Sequence, residues 1–282
     1  MIRSALSYQG KKNFVPQCLR RMSSLVSTSV STIHPGVAHV MMQSPPVNSL
    51  SLSFCQELSQ NLQALHKDKS IDIILLQSDL PGIFSAGLDI KEFTQPKERL
   101  MEFWTAFQQL YIDLYGASQT TIACLEGSAP AAGCMLALSC DYRIMTKNNK
   151  AKIGLNESLL GIAAPPWLAQ QMIDTVGSRV AELSLWRGTL YVPEQALAIG
   201  LVDEVHESPR ERALELAVSE FQKIPRQGRA VSKTLTRRKR LEHFHQERQA
   251  DLDHFVNFIT QDAVQTQLRG YLHQLAAKKN QK

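Results

Sequence analysis

Phe84-Ser85-Ala86-Gly87-Leu88-Asp89-Ile90-Lys91-Glu92 follows Ile71 to Gln77, a run apolar enough for a buried strand. Leu80-Pro81-Gly82 breaks that run with turn residues. Small side chains follow, and a short helix is predicted from Ala86 to about Phe93. A strand that ends in small residues and feeds a helix exposes backbone N–H groups at the end of a sheet. Such groups suit the oxygen of a reacting carbonyl or a phosphate.

On either side, strands and helices alternate. Gly36 to Gln43 reads as a strand that ends at Pro45-Pro46. A helix is expected from about Leu50 to Lys67, with Phe54, Leu58, Leu62 and Leu65 on one face. Leu100 to Tyr115 has helical spacing, Thr121 to Leu125 reads as a strand, and Pro130 suits the first turn of a helix that reaches Ser139. Asp141 to Thr146 is a strand and Lys152 to Gly154 a short one. A helix starting at Pro165-Pro166 is expected to reach Val176, and further helices are predicted at 179–187, 193–198, 208–223, 225–247 and 250–277. The pattern is an α/β core with a helical C-terminal part. It contains no fixed-period repeat.

Charge divides the chain more sharply than these elements do. Residues 1–48 carry Arg3, Lys11, Lys12, Arg20 and Arg21, and the first carboxylate is Glu57. Removing those five from the 31 Lys and Arg leaves 26, equal to the 26 Asp and Glu, so the rest of the chain is balanced. A basic, Ser-rich, acid-free leader has the composition of a mitochondrial transit peptide, expected here over residues 1–30. Residues 31–225 are then the core and 226–282 a C-terminal helical region. Cys18, Cys55, Cys124, Cys134 and Cys140 form no Cys-x-x-Cys pair, and they read as reduced thiols. The eight His lack metal-ligand spacing, and no apolar run suggests a membrane span.

Three segments carry candidate chemistry. Ser85 to Asp89 is the first. Gly127 to Cys134 is a second strand end that runs into a helix. In the third, Ile153 to Ile162, Glu157 is the only charged residue between Lys152 and Asp174. Two backbone N–H groups aimed at one oxygen stabilise an enolate, with about 3 kcal/mol typical of one donor. A carboxylate in apolar surroundings suits proton transfer. Each feature alone also fits tight packing, or an acid paired with a base. Spacing does not show that the three meet.

These segments, in this order, resemble the crotonase (enoyl-CoA hydratase/isomerase) superfamily. Pro45-Pro46-Val47-Asn48-Ser49-Leu50-Ser51-Leu52, Cys140-Asp141-Tyr142-Arg143-Ile144 and Ile153-Gly154-Leu155-Asn156-Glu157 are similar to its mitochondrial delta-3, delta-2-enoyl-CoA isomerase branch. The resemblance runs over about residues 36–275. It implies a spiral of ββα units and C-terminal helices that trimerise. It implies β-oxidation of unsaturated fatty acids in the mitochondrial matrix, with an enoyl-CoA substrate, no metal and no redox cofactor. Leu88 and Ala132 match the two oxyanion donors, the family generally having Gly where Ala132 stands. Glu157 matches the catalytic carboxylate. Ala86, Gly87, Leu88, Asp89, Ile90, Ala132 and Gly133 match positions along the thioester and CoA. Met135 stands where hydratases of the family carry a second glutamate, which implies isomerisation rather than hydration. Pro166 stands where the isomerases usually have Phe. The remaining alternative is a catalytically weak crotonase-fold protein that binds acyl-CoA or RNA. Arg237-Arg238-Lys239-Arg240 is the candidate RNA patch, although a solvated helix face explains it better, and the balanced body argues against nucleic acid.

Overall fold

Each turn of the chain lays one long strand in a main sheet, one short extended segment in a second layer, and then a helix. A computed structural model describes residues 24–280. In chain order the long strands are β1 (Val26–Val30), β2 (Val37–Met42), β3 (Ile73–Ser78), β4 (Thr120–Leu125), β6 (Tyr142–Thr146) and β8 (Glu204–His206). They form one sheet in the order β1-β2-β3-β4-β6-β8. Only β1 is antiparallel to its neighbour. β5 (Ala129–Pro130) pairs with β7 (Ile153–Gly154) in the second layer. Single bridges continue that layer, Leu50 with Leu88 and Ile83 with Ser128. The long crossovers that parallel strands require are helical: α1 (Leu52–Lys67), α2 (Lys97–Tyr115) and α3 (Ala132–Ser139).

β3 is buried along its whole length, and its alternate residues serve two cores. Ile73 and Leu75 face α7 (Pro209–Ser219), where Ala213, Leu216 and Ala217 pack. Ile74 and Leu76 face the larger core, with Phe54, Leu58 and Leu62 of α1. α4 (Pro166–Val176), α5 (Ser178–Arg187) and α6 (Pro193–Ala198) follow β7, and α8 (Arg226–Ile259) and α9 (Asp262–Asn280) complete the chain. Among the described residues, no helix is long and apolar enough to cross a membrane. Cys55, Cys124, Cys134 and Cys140 are buried free thiols. Cys18 lies outside the described residues.

Four expectations need correction. The boundary at residue 30 falls after a strand of the main sheet. Leu25 and Val26 donate backbone N–H bonds to Glu57 of α1, so residues 24–30 belong to the folded body. Only Val26 of β1 is buried, which leaves no alternation to read. The basic residues of the expected leader lie outside the described residues. Second, residues 86–88 are not helical, with Leu88 in a single bridge to Leu50, and the helix after them is a short 3-10 turn, Ile90–Thr94, which Asp89 caps by accepting from Lys91 N–H at 3.1 Å. Third, Pro130 belongs to β5, and α3 starts two residues later. Fourth, α8 runs unbroken through 247–250, where Glu247-Arg248-Gln249-Ala250 are all tolerable in a helix. The break falls at Thr260-Gln261 instead.

Candidate active site

The short segments of successive turns end side by side, and each end contributes one group. Leu88 closes the second turn, Ala132 opens the helix of the third, and Glu157 follows β7 in the fourth. All three line one cavity of about 50 Å³.

Hydrogen bonds fix the direction of each donor. Leu50 N–H donates to Gly87 C=O at 2.9 Å. That carbonyl shares a peptide with Leu88 N–H, and a trans peptide sends the two in opposite directions. Leu88 N–H therefore points away from Leu50, and among the described residues it has no protein acceptor. Ala131 C=O accepts from Met135 N–H at 3.1 Å as the first bond of α3. Ala132 N–H accordingly projects from the helix start, where N–H groups lack intrahelical partners.

Two glycines bring these peptides together. A Cβ on Gly87, whose φ is +89°, would lie 3.0 Å from Ala132 N, so the two donor loops are in contact. A Cβ on Gly133 would lie 2.3 Å from Ser85 C=O, closer than any side chain allows. Buried Asn48 secures the first loop from behind. Its Nδ2 donates to Ser78 Oγ at 2.8 Å and to Phe84 C=O at 3.0 Å, and its own C=O accepts from Ser85 Oγ at 2.7 Å. This network gives Asn48 of the Pro45–Leu52 motif its role.

Ala132 itself has an ordinary helical backbone. The left-handed conformation falls one residue earlier, on Ala131, at φ 51° and ψ −124°. Any demand for glycine in this turn is therefore at 131, not 132.

Glu157 begins a 3-10 turn, Glu157–Leu160, that Gly161 closes at φ +69°. Its Oε2 is buried without a hydrogen-bond partner. Burial raises its pKa to about 7. Burial also pushes the Cys134 thiol up, and the nearby Glu157 carboxylate adds to the effect, so Cys134 stays neutral. The remaining wall is apolar, with Phe93, Trp104, Phe107, Leu168, Phe255 and Phe258 prominent in it. Trp104 and Phe255 stack at 3.6 Å between centroids. The cavity thus brings together two residues whose N–H groups have no protein acceptor among the described residues and one carboxylate poised near neutrality, in an apolar surround. That set suits removal and return of a proton beside a carbonyl.

Leu88, Ala132 and Glu157 line one cavity, a meeting that their spacing in the sequence did not show and that the family resemblance implied. Gly87 and Gly133 act as spacers behind the donors. Ala86, Asp89 and Ile90 lie outside the cavity lining. Met135 is fully buried, with its sulfur 3.4 Å from Ser139 Oγ, and is not part of that lining. The aromatic wall was not foreseen, because its members are scattered from the 3-10 turn before α2 to α8 and carry no local signal. Glu92 was also missed. It is buried, takes Leu52 N–H at the start of α1 at 2.9 Å, and pairs with Arg99 through both oxygens. It anchors the 3-10 turn that follows the Leu88 donor. In the basic run, Arg237 pairs with Asp141 and stacks on Tyr115, Arg240 pairs with Asp174, and Arg238 lies 3.8 Å from Glu242. Arg237 and Arg240 thus hold α8 to the rest of the fold.

A model of the enoyl-CoA hydratase/isomerase family matches residues 32–282. The chain belongs to this family. It is 44% identical over 248 residues to the mitochondrial enoyl-CoA delta isomerase 1 of Rattus norvegicus, covering 86% of this chain and 85% of that protein. The Homo sapiens protein of the same name is 40% identical over 247 residues, covering 86% and 82%. The crystal structure of human mitochondrial delta3-delta2-enoyl-CoA isomerase superposes with a TM-score of 0.87 at 39% identity, covering 90% of this chain and 99% of that one. A Bacillus halodurans enoyl-CoA hydratase structure, 22% identical with a TM-score of 0.80, shares the fold.

Proposed function

We propose that the chain shifts the double bond of 3-cis- or 3-trans-enoyl-CoA to give trans-2-enoyl-CoA, with Glu157 as the only base. The carboxylate takes a proton from C2, and the electron pair moves through the thioester to its oxygen. The dienolate oxygen accepts hydrogen bonds from Leu88 and Ala132 N–H. Glu157 then returns the proton at C4, the C3–C4 π bond is consumed, and a C2–C3 π bond is left. Atoms and electrons balance within one substrate, so the step calls for no redox cofactor, and with two N–H donors holding the oxygen it calls for no metal.

One observation carries this reading. An unpartnered, buried carboxylate oxygen shares a small apolar cavity with Leu88 and Ala132, whose backbone N–H groups have no acceptor among the described residues. A pKa of about 7 lets the same group accept and return a proton near neutral pH. Met135 is a thioether and cannot activate water as a second base, which favours isomerisation over hydration. The mitochondrial names of the relatives support a mitochondrial site of action, and we place it in the matrix. A homotrimer is the expected assembly.

The test is a paired assay. Isomerisation of 3-hexenoyl-CoA should be rapid, and hydration of crotonyl-CoA slower by about a hundredfold or more, the order lost with one general base. Hydration at a rate comparable to isomerisation would refute the proposal.

A further inference from the structure

One helix touches both of the short turns that carry the site. α9 packs against the Ile90–Thr94 turn, which follows the Leu88 donor, and against the Glu157–Leu160 turn. None of its described residues lines the Glu157 cavity. A Cβ on Gly161, which closes the Glu157 turn, would lie 2.3 Å from Gln267 Nε2, so that side chain rests on the turn.

At the other turn the contact is made by hydrogen bonds. Gln265 Nε2 donates to Phe93 C=O and to Ile259 C=O, both at 2.8 Å. Phe93 belongs to the turn after Leu88, and Ile259 is the last residue of α8. Both are buried and both line the cavity. Among the described residues, neither carbonyl receives a backbone N–H. The Ile259 oxygen is one of those that a helix end leaves without an intrahelical donor. A side-chain amide carries two N–H bonds, so Gln265 satisfies both oxygens and uses both donors. Its own backbone N–H bonds Gln261 C=O at 2.9 Å, which sets it in the first turn of α9. Apolar anchoring of this helix is sparse. Leu268 is the only buried side chain among those described on it, and Val264 packs beside the core. The amide therefore weighs heavily in how α9 and the cavity wall stay in register.

We infer that Gln265 is a positioning residue for the proposed isomerisation, its amide tying the turn after Leu88 to the end of α8 and so keeping the Leu88 donor in place against the rest of the cavity. This rests on the isomerase reading of the same site. Glu92 holds the turn to α1, and Gln265 holds it to α8. Without the amide donors, two buried carbonyl oxygens lose their partners, and the turn and the wall are free to part. A small displacement of a donor costs rate more than it costs binding, because the charge on the oxygen develops in the transition state.

The experiment compares the full wild-type chain with Gln265→Met and Gln265→Lys on 3-hexenoyl-CoA. Met has similar length and no donor, and Lys restores N–H donors at similar reach. In Gln265→Met, kcat should fall about tenfold or more while KM changes by less than about threefold. Gln265→Lys should recover kcat to within about threefold of wild type. Hydrogen exchange of the backbone amides at 88–95 should quicken in Gln265→Met and stay near wild type in Gln265→Lys. Unchanged kcat and exchange in Gln265→Met, or equal losses in both variants, would overturn the positioning role. A wild-type chain without turnover, with exchange still quickened in Gln265→Met alone, would instead remove the isomerase reading and leave the tie standing.

Discussion

Replacing Glu157 by Gln should stabilise the protein at neutral pH and leave its stability almost unchanged in acid. The acid's ordinary pKa is 4.5, and burial raises it to about 7 in the fold. Between these two values the native state holds a proton that the unfolded chain has released. Stability therefore falls as pH rises through this window and is level above it. About 2.5 units at 1.36 kcal/mol each gives about 3 kcal/mol of destabilisation, fully present above pH 7. Gln keeps the shape and does not titrate. All other titrating groups are common to both proteins and cancel in the difference. Urea unfolding at about pH 5 and pH 8 reads that difference, which should rise by about 2 to 3 kcal/mol in favour of Glu157→Gln over this interval. A difference that does not change with pH, or a wild-type protein that is the more stable at pH 8, would refute the buried, unpartnered carboxylate.

Two further outcomes follow from neighbouring groups. Ala131→Gly should raise stability by about 1 kcal/mol in thermal or urea unfolding, because relief of a left-handed conformation worth about 1–3 kcal/mol exceeds the extra chain entropy of glycine. A loss would show that the turn is unstrained. Glu92→Leu should cost about 1–3 kcal/mol, since buried Leu52 N–H loses its acceptor, and it should lower kcat because the turn after Leu88 is released. Full activity at lowered stability would separate this clamp from the donor loop.

Much of the site could be read from the sequence because its parts are local. Pro81-Gly82 and Ala86-Gly87 mark a strand end whatever packs around them, and Glu157 stands alone in an apolar run. The C-terminal helices were also legible by composition. Tertiary effects account for what was not. β1 is an edge strand with one buried residue, so no hydrophobic period reveals it. Whether Ala131 or Ala132 bears the unusual backbone depends on how β5 enters α3. The Glu92–Arg99–Leu52 clamp joins residues up to 47 positions apart. The aromatic wall exists only once α8 lies across α2.

The most direct test is turnover of a 3-enoyl-CoA by wild-type and Glu157→Gln proteins side by side. With one carboxylate as the only base, the rate should fall by about a thousandfold or more while acyl-CoA binding persists. Near-wild-type turnover by the variant would contradict the assignment of Glu157.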